Sequence, residues 1–181
     1  DGMPSLLLKK KKLDSGDIVF KFSGKILSSN TGDRCLQVGQ QQWITPKAEE
    51  GEPPWVFLNH SFEPSVHLSH PPLSTIEEKS PNVFDVEIEE KVEELEYDSP
   101  IVLTVTANFE LSKNTPLTID YTLHEYIMYK DGFICAETGR NVRGFHFLTE
   151  EEKIKALPKA ANHIKMLHQE ALGRFISNMT Q

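Results

Sequence analysis

Only two cysteines, Cys35 and Cys135, occur in 181 residues, which is too few for a disulfide framework and makes reduced thiols the default. Long hydrophobic runs are missing too. Nothing approaches the ~20 apolar residues of a membrane-spanning helix, and "SLLL" at 5–8 is too short for a secretory leader and carries its lysines behind it instead of in front. The expectation is an intracellular protein, cytoplasmic or nuclear, that meets no membrane. An excess of base is also missing: Lys+Arg 19 against Asp+Glu 27 gives a net charge of −8, which excludes binding by broad phosphate neutralisation, so no nucleic-acid partner is expected. No phosphate loop, Gly-x-Gly-x-x-Gly or Ser-His-Asp signature occurs.

The chain has the composition of a globular protein, and its length suits one domain, with or without a terminal extension, large enough to bury a core without staples. Its charge is uneven. "KKKK" stands at 9–12, whereas "EEKSPNVFDVEIEEKVEELEYD" at 77–98 holds much of the acid. Such a run is either a solvated face or a docking surface for a basic tail.

Period and punctuation point to many short strands up to about residue 148. "DIVFKF" (17–22) alternates between two Ser-Gly pairs, and "RCLQVG" (34–39) reads the same way. "WVFL" and "SVHL" flank a turn at Pro64, "IVLTVTANFEL" (101–111) is rich in β-branched residues, "PLTIDYTL" (116–123) alternates, and "GFIC" (132–135) is the last candidate. The tail differs. Thr149 and Glu152 have capping-box spacing with acids in the first turn, Pro158 is placed to open a second helix, and Ile164, Leu167, Ala171 and Phe175 make one apolar stripe suited to packing on the β body.

Single polar residues carry little alone. His67 and His70 have no cysteine or further histidine near them in sequence, so they read as surface histidines. Asn59-His60 reads as a turn, and Asp120-Tyr121 as the end of a strand.

Their order carries more. "KKLDSGDIVFKFSGKI", "FLNHSFEP", "ANFELSKNTPLTIDY", "GFIC" and "RGFHFL" resemble, in that order, successive motifs of the SET-domain protein-lysine methyltransferases. "NHS" followed by "EP" resembles that family's N-H-S-C-x-P-N, "PLTIDY" its G-E-E-L-T-x-D-Y, and "TLHEYIM" the T-T-E-W-x-M of short plant, fungal and bacterial members. The resemblance spans roughly residues 5–148 and implies a mainly β fold of the β-clip, SET-like kind, several small curved sheets with a pseudoknot; the expected organisation is a SET-like domain over 1–148, interrupted by an acidic insertion at about 74–99, with the C-terminal helical extension (149–181) read above packed on it. It also implies transfer of a methyl group from S-adenosylmethionine to a lysine of a basic protein or peptide tail. Asn59 and His60 would hold the cofactor, Tyr121 would be catalytic where methyl donor and lysine channel meet, and Phe62 and Asp120 would shape the pocket. The Tyr121 hydroxyl, at a solvent-linked channel mouth, would contribute little to folding.

The sequence departs from the family at four places. Pro4, Ser5 and Leu6 stand where Gly-x-Gly is expected; Phe62 and Ser65 replace Cys and Asn of the N-H-S motif; Cys135, Glu137 and Val142 replace the three zinc cysteines, so no metal is expected; and the link at 74–99 is long and acidic. Two readings follow: a working methyltransferase that has drifted, or a SET-like domain that has lost methyl transfer and serves as an enzyme on a small molecule or as an interaction module.

Overall fold

The computed structural model describes residues 5–32, 34–46, 52–70 and 101–179. Pro4, the acidic run at 77–98 and the insertion at 74–99 lie outside the described residues. Among those described, the chain is mainly β: small sheets followed by two C-terminal helices.

Strands β2 (Ile18–Phe22), β8 (Leu103–Ala107) and β7 (Val66–Ser69) form one antiparallel sheet in the order β2-β8-β7. β8 alternates as a half-buried strand must, with Leu103, Val105 and Ala107 in the core and Thr104 and Thr106 between them. A second sheet orders β3 (Lys25–Leu27), β5 (Gln42–Thr45) and β4 (Leu36–Gly39). Three two-stranded pairs complete the body. β1 (Lys12–Leu13) meets β9 (Leu111–Ser112), and β11 (Phe133–Ile134) meets β12 (Asn141–Val142), both antiparallel. β6 (Asn59–His60) meets β10 (Thr118–Ile119) in parallel, with Thr118 opposite Asn59 and Ile119 opposite His60.

Turn chemistry cuts the expected strands short. "WVFL" does not extend: Pro53 and Pro54 start a 3-10 turn, Pro54–Phe57, which buries Trp55 in a stack on Phe22 at 5.2 Å between ring centroids. "IVLTVTANFEL" breaks at Asn108 into β8 and β9. "PLTIDYTL" stops after Ile119 because Asp120 caps a 3-10 turn, Tyr121–Leu123, by accepting a hydrogen bond from the Thr122 N–H. Gly132, at φ +79°, allows the β11–β12 hairpin to close, since a Cβ there would collide with the Val142 carbonyl.

The capping box forms as the spacing implies. Thr149 and Glu152 bond reciprocally at the start of α1 (Glu150–Ala156). Pro158 does not open the second helix; it falls in the turn before α2 (Asn162–Met179). The α2 stripe is buried at its beginning, half-buried at Leu167 and Ala171, and exposed at its end. Ile164 is fully buried in a small core with Leu123, Phe145, Ala160 and Ala161, while Phe175 is 63% exposed.

Candidate functional site

Parallel pairing of β6 with β10 brings the two motifs of the sequence together. The Tyr121 hydroxyl donates to the Leu58 carbonyl at 2.6 Å, and the Tyr121 backbone N–H donates to His60 Nδ1 at 3.2 Å. The Asn59 amide reaches the N-terminal segment and donates to the Ser5 hydroxyl at 2.9 Å. That segment is held on both sides, for the Leu6 N–H donates to the Phe57 carbonyl and the Leu117 N–H to the Leu6 carbonyl. Ser5, Asn59, His60 and Tyr121 therefore share one corner.

Aromatic side chains fill it. The His60 ring meets Phe62 at 4.5 Å, Tyr121 at 5.4 Å and Phe133 at 5.7 Å, each edge to face, and the Arg140 guanidinium lies 4.1 Å over the Phe62 ring. The His60 side chain is only 1% exposed. Burial, reinforced by Arg140, pushes its pKa down to about 4, so the ring is neutral. With Nδ1 accepting from Tyr121, the proton sits on Nε2, which is buried with no partner among the described residues. Burial, and next the Glu125 carboxylate, raise the Tyr121 phenol to about 12. It stays protonated, and it can orient a group but not act as a base. The hydroxyl is thus held by the protein and not loose at a channel mouth, a correction to the sequence reading.

The positions that resemble zinc ligands hold other contacts. Glu137 accepts a hydrogen bond from the Ser61 hydroxyl at 3.0 Å, Val142 is buried in β12, and the Cys135 thiol is held below its ordinary pKa chiefly by hydrogen bonding to Thr138. Among the described residues, no group of three or more His, Cys, Asp or Glu is arranged to hold a metal ion. Nor is any helix there long and apolar enough to cross a membrane.

Phe62 and Asp120 line a cleft of about 1050 Å³, and Asn59, His60 and Tyr121 do not. Asp120 is fixed by its cap to Thr122, and burial raises its pKa against the pull of those hydrogen bonds. Three of the lining residues, His67, His70 and His124, join His163 in a histidine cluster that sequence spacing could not reveal. His67 and His70 are half-buried instead of lying on the surface, because His124 and His163 arrive from distant parts of the chain. His70 Nε2 and His124 Nδ1 are 3.1 Å apart, His70 packs edge-on against His163 at 5.0 Å, and His163 Nε2 donates to the His124 carbonyl at 2.9 Å. Burial depresses all four, His70 to about 3 and His163 to about 4. Next to His124, Glu125 is 6% exposed and accepts from the Gln37 N–H at 2.7 Å; burial lifts its carboxyl to about 8.

No protein-family model matches this chain, and neither does any curated protein. The site stands on its geometry and on the resemblance of its motifs.

Proposed function

We propose that the chain is a SET-like methyltransferase that moves a methyl group from S-adenosylmethionine to a lysine side chain of a basic protein. The observation that carries this reading is the bond from the Tyr121 hydroxyl to the Leu58 carbonyl, made where β6 and β10 pair, with Asn59 held against Ser5 in the same corner. These are the residues that the resemblance assigns to one site, and the N-terminal segment meets them although its glycines are replaced.

The donor set fits the cofactor at Asn59, which is half-exposed, and not at the His60 ring, which Phe62 and Phe133 cover. Asn59 and the backbone beside it would hold the adenosyl group; His60 acts instead as a positioning residue that fixes the Tyr121 backbone. S-adenosylmethionine, when bound, supplies an electrophilic methyl group. The chain's own part is to orient a neutral amine and keep water away. A lysine has a pKa of about 10.4 in water, and an apolar aromatic corner favours its uncharged form. The protonated Tyr121 phenol orients that amine without adding charge.

Thermal shift and isothermal titration with S-adenosylmethionine and S-adenosylhomocysteine test the proposal. Ligand at a hundred times Kd stabilises the fold by about 2.7 kcal/mol. No shift and no heat, with no methyl transfer to a histone mixture, reject it. Asn59→Ala weakens the binding, and undiminished affinity removes that residue from the site. A second reading is favoured by the packing of Phe62 and Phe133 on His60: a SET-like domain without methyl transfer, acting on a small organic molecule or as an interaction module.

A further inference from the structure

The cleft beside the corner has a makeup of its own. Val66, Leu68 and Leu123 on one side and Leu148 near α1 give it an apolar lining, and Phe109, half exposed, stands at its edge. Four cations line it: Arg140 and Lys155 are paired with Glu152 and Glu151, and Lys159 and Lys165 come from the α1–α2 turn and from α2. Lys165 is near enough to His67 to help hold that ring neutral, and Lys159 acts in the same way on Asp120 to favour its charged form. Neither lysine forms a salt bridge among the described residues, although Lys165 donates to the Pro158 carbonyl. The lining acids are engaged or face water: Asp120 accepts from Thr122, Glu152 is taken up by Thr149 and Arg140, and Glu63 is exposed. In a chain of net charge −8, this is a local basic rim over a partly apolar hollow.

The geometry points to a binding site for an amphiphilic organic anion, its apolar body against Leu68 and Leu123 and its carboxylate or phosphate between Lys159 and Lys165. The volume of about 1050 Å³ matches the upper range of small-molecule sites. The half-buried His67 adds an imidazole to the lining, whereas His70 is engaged with His124. The inference rests on the cleft alone. Its failure would leave the Tyr121 reading untouched, and loss of methyl transfer would leave the cleft as described.

The test uses the full chain and the fluorescent anion 8-anilinonaphthalene-1-sulfonate. One equivalent binds with enhanced fluorescence, and Lys159→Glu combined with Lys165→Glu weakens the affinity at least tenfold, ~1.4 kcal/mol. Lys21→Glu, at an exposed lysine of β2 outside the cleft, serves as control and leaves binding within about twofold. Octanoate and phenyl phosphate then compete for the site, and the better competitor identifies the headgroup. The proposal is overturned if the double lysine variant binds as tightly as the parent, if neither competitor displaces the dye, or if Phe175→Ser with Ile176→Ser abolishes the signal instead.

Discussion

Residues 120–124 serve two regions built on opposite terms. In the corner, Tyr121 and His60 are fixed by hydrogen bonds between two short contiguous motifs. Beside the cleft, His70, His124 and His163 meet through rings drawn from three separate stretches. Contiguous motifs bring their own register, because one parallel strand pair aligns Asn59 with Thr118 and His60 with Ile119. The cleft has no such code. Its groups meet because the tail folds back, with Ala161 N–H donating to the Leu123 carbonyl and His163 to that of His124.

Substitutions separate the two. The largest effect is expected of Tyr121→Phe. Methyl transfer falls by about a hundredfold or more, ~2.7 kcal/mol of barrier, while the unpartnered Leu58 carbonyl, in a residue 3% exposed, costs ~1–3 kcal/mol of stability. Dye binding in the cleft stays as it was. A variant that retains turnover would remove the corner from the chemistry. Next comes the attachment of the tail: Ile164→Ala costs ~2–5 kcal/mol in urea unfolding, whereas Phe175→Ser on the exposed half of α2 stays within about 0.5 kcal/mol. Equal losses at both positions would show that the whole stripe is packed in solution.

Protonation sharpens the contrast further. His70 and His163 fold with pKa values of about 3 and about 4 against the ordinary 6.5, so the unfolded chain takes up protons first. Their contribution is full above pH 6.5 and is lost as pH falls toward about 4 for His163 and about 3 for His70, by up to ~1.4 kcal/mol per unit for each ring. Glu125 works in the other direction. Its folded carboxyl titrates at about 8 against 4.5, so the native state keeps a proton the unfolded chain has lost, and stability declines as pH rises from 4.5 to 8. Glu125→Gln removes that alkaline decline, and thermal unfolding between pH 5 and 9 measures it. Superimposable profiles for the two proteins would show that the carboxyl is not desolvated.

Alternation in "VLTVTA" and the spacing of Thr149 and Glu152 were enough to read β8 and the α1 cap, because both depend on neighbours a few residues away. The 3-10 turn at Trp55 is not legible in the apolar run "WVFL", which has no period; its signal in the sequence is the Pro53-Pro54 pair. β1, β3, β5, β6 and β12 leave no pattern to read, because they are two to four residues long and take their places from partners. At the site, Asn59, His60 and Tyr121 were legible as motifs, but Phe133 and Arg140 were not. Their part is to pack against His60 and Phe62, and no residue type announces such a contact. His124 and His163 were invisible for the same reason: an inspection of sequence neighbours cannot find a partner that arrives by folding.

The N-terminal segment has a consequence for the order of assembly. Leu6 sits between Phe57 and Leu117, giving its carbonyl to one and its N–H to the other, so its place does not exist until those distant residues are already side by side. Local hairpins close in microseconds, but this slot waits on long loop closures, and such contacts slow folding. The Ser5–Asn59 bond is therefore among the last to form, and the corner that carries the proposed chemistry matures after the sheets around it.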